Sequence, residues 1–341
     1  MAARDLPPAG SSEPRRGRIG LVSVVAPMFD EEETVEVFYE RVRTALEGLR
    51  FELVLVDDAS RDRTPDLLDR LAESDPRVRV LHLSRNFGHQ AALTAGLEHA
   101  RGDAVVMLDG DLQDPPEVIR AMLEHWRRGA DVVYGVRETR AGESRFKLVT
   151  AGWFYRLFAR LSNLELRENS GDFRLLDRRA LDVLLSMRER NRFLRGMTVW
   201  VGFTQTAVPY RRDARYAGET KYTLRRMVRF SLDAISSFSA FPLQIATLLG
   251  FLFSAIAFLS LPLVVLARIL DVYVPGVSSV LFAILLLGGI QLITVGIIGE
   301  YVGRIYDEVK GRPLYVVREA RNLIAEPPGE APSEPQRVAA P

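Results

Sequence analysis

The sequence predicts an α/β domain built on a mostly parallel sheet, followed by two helices that cross a membrane. Three observations predict it. Short β-branched runs alternate with helical stretches over residues 19–135, the pattern of a three-layer α/β sheet. Charged side chains make up 26% of the 341 residues, yet within 243–298 only Arg268 and Asp271 are charged. That neutral region holds two apolar runs, 243–267 and 277–298, each longer than the roughly 20 residues that span a bilayer.

Composition narrows the class further. Hydrophobic residues are 48%, which excludes a disordered or fibrous chain, and the charge-rich remainder excludes a wholly membrane-embedded one. Net charge is +1, so nothing draws the whole molecule to nucleic acid. There are no cysteines, which excludes a disulfide scaffold, Cys-ligated zinc, Fe–S clusters and thiol catalysis, and fits a reducing compartment. Residues 1–18 are rich in Pro, Arg, Ser and Gly with no apolar core; they read as a disordered tail rather than a signal peptide.

Taken in order, strands are expected at 21–26, 53–57, 78–83, 104–109 and 132–135. Most are continuous apolar runs rather than alternating ones, as strands buried on both faces should be. Helices are expected between them at 31–47, 65–73, 89–100 and 115–127. Residues 143–161 read as a helix mixing Phe146, Trp153, Phe154 and Phe158 with Arg145, Lys147, Arg156 and Arg160. Such a helix suits a membrane interface, and a core-packing helix fits the same pattern. A short strand at 173–176, a helix at 178–187 and a strand at 203–209 follow. Residues 211–230 carry seven basic against two acidic side chains, and Arg304, Lys310, Arg312, Arg318 and Arg321 follow the second apolar run. Positive-inside bias therefore puts both flanks, and the large domain, in the cytoplasm of a multi-pass inner (plasma) membrane protein. The expected organisation is a tail to 18, a globular domain over 19–230, a membrane domain over 231–302 and a cytoplasmic tail from 303.

In sheets of this kind ligands bind beyond the carboxyl ends of the strands. The tips there are Pro27-Met28-Phe29-Asp30-Glu31, Asp57-Asp58-Ala59-Ser60, Ser84-Arg85-Asn86-Phe87-Gly88, Asp109-Gly110-Asp111-Leu112-Gln113 and Val136-Arg137. Two carboxylates flanking a glycine at a strand end can grip a hard divalent cation whose shell is completed by substrate phosphates, with Gln113 as a third oxygen; a capped surface turn would look the same in isolation. Asp114 and Pro115 read as the N-cap and first residue of the next helix. Asp57 and Asp58 can accept from a base or ribose, or form the turn before the next helix, which Asp62 alone could cap. Arg85, Arg137, Arg215 and Lys221 are candidate phosphate clamps or solvated surface charges. Glu300 and Arg304 read as a helix-surface ion pair. His82, His89, His99 and His125 are scattered and read as structural or surface residues.

These motifs together resemble family 2 glycosyltransferases of the GT-A fold. The match runs over roughly 20–320 and includes Val56-Asp57-Asp58-Ala59-Ser60, Ser170-Gly171-Asp172-Phe173-Arg174-Leu175, Gly218-Glu219-Thr220-Lys221-Tyr222 and Gly299-Glu300-Tyr301-Val302-Gly303-Arg304. More narrowly the chain is similar to polyprenol-phosphate glycosyltransferases, the group of dolichol-phosphate mannose synthases and bacterial undecaprenyl-phosphate glucosyltransferases. It departs from the pattern at Met28-Phe29, where a small residue and Tyr are usual, and at Asp30, where Asn is usual.

The resemblance implies a GT-A nucleotide-sugar-binding domain with a C-terminal transmembrane hairpin. Pro27, Phe29, Glu31, Asp57, Asp58, Arg85, Asp109 and Gly110 would hold the nucleotide sugar. Asp109, Asp111 and Gln113 would hold Mg²⁺ or Mn²⁺ and the diphosphate. Arg137, Arg215 and Lys221 would face phosphates, and Asp172 would be the acceptor-side acid. The implied reaction is inverting transfer from a nucleotide sugar, UDP-glucose first, to a polyprenyl phosphate such as undecaprenyl phosphate, with GDP-mannose or a UDP-N-acetylhexosamine as alternative donors. The membrane is the expected partner, nucleic acid is not, and a homo-oligomer is compatible with the pattern. A processive polysaccharide synthase would need more spans and a Gln-x-x-Arg-Trp motif, which Arg192-Phe193-Leu194-Arg195-Gly196 does not supply. A membrane-tethered, non-catalytic sugar-nucleotide binder would not need both the metal and acceptor motifs. A dinucleotide-dependent dehydrogenase would need Gly-x-Gly-x-x-Gly after the first strand, and none follows.

Overall fold

The fold is taken from a computed structural model, which describes residues 17, 19–138, 170–213, 241–270 and 276–323. Among the described residues, seven strands and six α-helices make up the first body: β1 (Val22–Met28), α1 (Val35–Ala45), β2 (Phe51–Asp57), α2 (Thr64–Ser74), β3 (Val78–Leu83), α3 (His89–His99), β4 (Ala104–Met107), α4 (Ile119–Arg127), β5 (Val132–Arg137), β6 (Ser170–Asp177), α5 (Arg178–Ser186), α6 (Leu194–Trp200) and β7 (Gln205–Tyr210). Two long helices follow, α7 (Phe241–Ile269) and α8 (Val277–Val309), then a last strand, β8 (Val317–Arg321).

All eight strands form one sheet in the order β7-β5-β6-β4-β1-β2-β3-β8. β1–β2, β1–β4, β2–β3 and β5–β7 are parallel; β6 runs antiparallel between β4 and β5, and β8 antiparallel along the edge of β3. The two-residue period sends alternate side chains to opposite faces. From β1, Val22, Val24, Ala26 and Met28 join one apolar cluster with Val35, Phe38, Leu68, Met122 and Trp126 of α1, α2 and α4. Val25 goes to the other face, with Val54 and Val56 of β2, Leu93 of α3, Leu181 of α5 and Met197 of α6. Helices thus cover both faces, which is why the central strands read as continuous apolar runs.

Most expected elements stand within two or three residues of their sequence positions. The expected 104–109 strand stops at Met107, freeing Leu108 onward for the loop that follows. The expected helix over 143–161 lies outside the described residues. Three departures matter. α6 was not foreseen, being only seven residues long with no side-chain cap. α8 continues to Val309, beyond the expected end of the second apolar run. The segment read as a tail from 303 carries those last turns and then β8. Ser84 N–H donates to the Val316 carbonyl at 2.9 Å, and the Asn322 side-chain amide donates to the carbonyls of Ala72 at 2.6 Å and Val78 at 2.8 Å, so β8 is pinned at both ends.

At 1.5 Å per residue, the 29 residues of α7 and 33 of α8 measure about 43 Å and about 50 Å. The two pack beside each other. Among the described residues one segment, Leu286–Val309, is long and apolar enough by itself to cross a membrane. Large apolar side chains such as Phe251, Leu259, Ile284 and Leu292 stand exposed along both helices. At the end of α8, Glu308 accepts from the Arg190 amide at 2.7 Å, and Arg190 donates to the Arg312 carbonyl at 3.0 Å, tying the helix to the globular body.

Candidate active site

The loop after β4 is built around two buried side chains, Leu112 and Asp114. Leu112 is buried in the left-handed region at φ 58°, so its neighbours Asp111 and Gln113 are turned outward. The Gln113 amide donates to the Asp111 carboxylate at 3.1 Å. Gly110 lies against β1: a Cβ there would sit 2.4 Å from Met28 Sδ and 3.2 Å from the Pro27 carbonyl oxygen. Only glycine lets the loop press so closely onto the tip of β1, and Met28 is the reason in this chain.

Asp114 does not cap the next helix as expected. Its carboxyl is wholly buried, accepts from the Tyr210 hydroxyl of β7, and pairs with Arg137 at 3.4 Å and Arg212 at 3.5 Å. Burial pushes its pKa up, although those cations oppose the shift. Tyr210 in turn accepts from Arg137 Nε at 3.2 Å. These two partners aim Arg137, and its guanidinium lies over Gly171, where a Cβ would sit 2.7 Å from Nη2.

β6 delivers Asp172. The antiparallel register pairs Ala104 with Asp177 and Met107 with Arg174, and just past its end His89 bonds Asp109 and also feels the charge of Asp172. Two carboxylates far apart in sequence thus lie at one sheet end. Asp172 accepts from Gln90 Nε2 at 3.3 Å and from Arg195 Nε at 3.3 Å. Gln90 is fixed by the Leu194 amide, which donates to its Oε1 at 3.0 Å. Arg174, two residues on, is fully buried and donates to the carbonyls of Gly171 at 3.4 Å and Arg195 at 3.2 Å and to the Thr198 hydroxyl. Burial pulls its pKa down to about 10. It locks the start of β6 to α6, and α6 supplies Arg195.

Sequence reasoning set His89 aside, and the structure puts it beside Asp109, with Nε2 2.9 Å from the carboxylate. Burial alone would lower its pKa; the hydrogen bond to Asp109 and the charges of Asp109, Asp172 and Asp111 outweigh that and carry it up to about 9. Burial would raise Asp109, and His89, Arg137 and Arg212 hold it below the usual carboxylate range instead. The signal available in the sequence was position: His89 opens α3 directly after the third tip, where a helix begins beside the other loops.

At the other end of the cleft, Pro27 and Glu31 are half-buried and Phe29 is exposed on the rim. Asp30 takes φ 53°, a conformation Asp tolerates as Asn does, so this departure from the family pattern keeps the turn. Glu31 accepts from the Thr34 hydroxyl at 2.9 Å at the start of α1. Arg85 is exposed, with its guanidinium 4.0 Å over the Phe87 ring. Asp57 and Asp58, expected to reach the nucleotide, lie beneath the rim, 0% and 3% exposed. Asp58 accepts from the amides of Phe87 at 2.7 Å and Gly88 at 2.9 Å, and burial raises its pKa. Asp57 accepts from the Ser60 amide at 2.9 Å and contacts His82 at 3.0 Å. Both carboxylates shape the loops that face the cleft. Asp62 stands one residue before the N-cap of α2, Arg63, which has no side-chain cap; the Asp62 carboxylate accepts from Thr64 N–H at 2.9 Å. Arg215 and Lys221 lie outside the described residues.

Among the described residues no group of three or more His, Asp or Glu side chains is arranged to hold a metal. The oxygen set at the loop, Asp109 and Asp111 with Gln113 beside them, is the kind that binds a hard cation through few protein ligands and leaves room for phosphate oxygens.

The glycosyl transferase family 2 model matches residues 23–185. An uncharacterized glycosyltransferase of Bacillus subtilis (strain 168) is 45% identical over 304 residues, 88% of this chain and 94% of its own length. A prophage bactoprenol glucosyl transferase homolog of Escherichia coli (strain K12) is 43% identical over 303 residues, 88% of this chain and 99% of its own. Among solved structures, glucosyl-3-phosphoglycerate synthase from Mycobacterium tuberculosis, in complex with Mn²⁺, UDP and phosphoglyceric acid, is 20% identical with a TM-score of 0.44, covering 67% of this chain and 78% of that one.

Proposed function

The chain belongs to glycosyl transferase family 2, and from that membership we propose that it transfers glucose from UDP-glucose to the phosphate of a polyprenyl lipid such as undecaprenyl phosphate. The observation that carries this reading is the β4–β6 register, which brings the Asp109-Gly110-Asp111 loop and Asp172 to one place. Similarity to a bactoprenol glucosyl transferase homolog over nearly its whole length supports the lipid acceptor and the glucose.

Asp109, Asp111 and Gln113 would hold Mg²⁺ or Mn²⁺ together with the donor diphosphate. Such a cation, when bound, offsets the diphosphate charge and eases departure of the nucleoside diphosphate. Phe29 offers a ring face to the base. Arg137, held by Asp114 and Tyr210, presents a positive charge over Gly171, the residue before Asp172. The nucleophile is a lipid phosphate oxygen, already ionised near neutral pH because its second pKa is about 6. It forms a bond to the anomeric carbon as the bond from that carbon to the nucleotide phosphate breaks on the opposite face, which gives inversion. No strong base is needed. Asp172, steadied by Gln90 and Arg195, faces the positive charge that develops on the sugar.

The sheet order supports two crossings. β3 precedes α7 and α8, β8 follows them, and the two strands pair. The chain entering α7 and the chain leaving α8 are therefore on one side of any bilayer, so the helices between cross it an even number of times. Leu286–Val309 is long and apolar enough to span, which supports two crossings, and basic flanks favour the cytoplasm for the body.

The test is a panel of radiolabelled UDP-glucose, UDP-N-acetylglucosamine and GDP-mannose, each with undecaprenyl phosphate and the full chain in lipid. A lipid-soluble product from UDP-glucose is expected. Product from another donor alone overturns the sugar, and product from none overturns the reaction.

A further inference from the structure

A line of hydrogen bonds runs from the strand after the membrane helices to the rim of the cleft. Arg321, at the end of β8, donates from Nε and Nη2 to the two oxygens of Asp69 in α2 at 3.1 and 3.2 Å. Asp69 lies 3.1 Å from His82 Nε2, and His82 Nδ1 lies 3.0 Å from Asp57. Asp57 accepts from the Ser60 amide at 2.9 Å, and the Ser60 hydroxyl accepts from the Asp30 amide at 3.1 Å. The Asp30 carboxylate closes the turn by accepting from Arg61 N–H at 2.8 Å. Asp30 directly follows Phe29. Each member joins a different part of the sheet, and His82 and Asp57 are sealed from solvent, with side chains 2% and 0% exposed.

The arrangement is more specific than packing requires. A buried carboxylate at the tip of β2 could be satisfied by backbone amides alone, as Asp58 is by Phe87 and Gly88. Asp57 instead takes a histidine whose other nitrogen is held by a second carboxylate, itself held by an arginine on a separate strand. Histidine between two carboxylates donates from both nitrogens, so moving either carboxylate moves the ring. Two turns with left-handed residues, Asp30 and Ala59, sit at the far end, where Asp58 N–H also donates to the Met28 carbonyl at 3.0 Å and Glu31 N–H to the Thr64 hydroxyl at 2.9 Å.

We propose that Arg321, Asp69 and His82 are positioning residues for the donor site, through which β8 fixes the Asp30–Ser60 turns that hold Phe29 for the nucleotide base. This rests on the reading of Phe29 as a base platform. It makes residues beyond the membrane helices part of the site for a soluble substrate. The effect belongs to donor binding, since the line ends at the base side of the cleft and touches neither Asp109 nor Asp172.

The test uses the full chain in detergent or lipid. UDP, GDP and ADP are titrated calorimetrically, and the variants are then compared with the nucleotide that wild type binds. Arg321→Ala and Asp69→Asn should weaken that binding about tenfold, raise the donor KM to match, and leave kcat at saturating donor and the lipid KM within about twofold. Arg321→Lys should recover part of the loss. Arg318→Ala, on the same strand but outside the line, should bind as wild type does. Amide exchange at Ser60 and Asp30 should speed up in the first two variants and not at Leu194. Asp69→Asn keeps the β8 backbone pairing, so it serves if Arg321→Ala fails to fold. Unchanged affinity with unchanged exchange at Ser60 and Asp30, or an equal loss in Arg318→Ala, overturns the proposal. A wild-type protein that binds GDP or ADP rather than UDP refutes the donor while leaving the variant comparison intact. If it binds none of the three, the exchange measurement alone decides the positioning claim.

Discussion

At Asp111 binding can be separated from folding. Its half-buried carboxylate takes the Gln113 amide at the surface of the loop, while the loop itself is anchored by Leu112 and by the close approach of Gly110 to Met28. Asp111→Ala should therefore leave the melting temperature within a few degrees and remove sugar transfer, and wild-type transfer should stop in excess chelator. Near-normal transfer in either case would refute the metal assignment. Asp172 differs, because its partners Gln90 and Arg195 belong to the side of the cleft away from Phe29. Asp172→Asn preserves shape and removes charge. Interactions made mainly in the transition state lower kcat with little effect on ground-state binding. We expect normal nucleotide binding by calorimetry and transfer slowed by at least about a hundredfold. Loss of nucleotide binding instead would move Asp172 to the donor side. The strand-end pattern singled out Asp109 and Asp111 as candidates, and the family resemblance added Asp172. Neither gave a site role to His89, Gln90, Arg174 or Arg195; those roles depend on how α3 and α6 meet across the sheet, which no local spacing encodes.

Between elements, His82 ties β3 to β2 and α2, and its ionisation reports on that junction. Burial would lower its pKa, but hydrogen bonds to Asp57 and Asp69 and their charges raise it above the ordinary value. A group whose folded pKa is raised adds stability that is fully present below its unfolded pKa, about 6.5, and is lost as pH rises through the folded value. Asp57 and Asp69 are shifted down, so their share is present above about 4 and lost in acid. The margin of wild type over His82→Gln in apparent melting temperature should thus be largest near pH 6 and shrink toward pH 9. A margin that grows with pH would mean that His82 is held neutral. The same junction shows which elements were legible. β1 to β4 could be read from the sequence because burial on both faces demands apolar runs. β8 could not: its Val317-Arg318-Glu319-Ala320-Arg321 is charged and largely exposed, as an edge strand should be, and nothing local distinguishes it from a tail.

For the whole molecule the decisive relation is that strands on either side of the helical pair share one sheet. It gives a topological expectation with a clean readout, since the natural chain has no cysteine. In intact cells, a cysteine placed by Ser278→Cys should react with an impermeant maleimide added outside, and one placed by Ser12→Cys should not. The reverse pattern would turn the molecule over and place its cleft away from cytoplasmic sugar nucleotides. The shared sheet also sets an order of events during synthesis. Residues up to Tyr210 leave the ribosome long before Val317, and the edge of β3 stays unpaired until both helices have been made. The last strand can join only after the whole helical pair has been made, so completion of the sheet dates the synthesis of everything between β3 and β8.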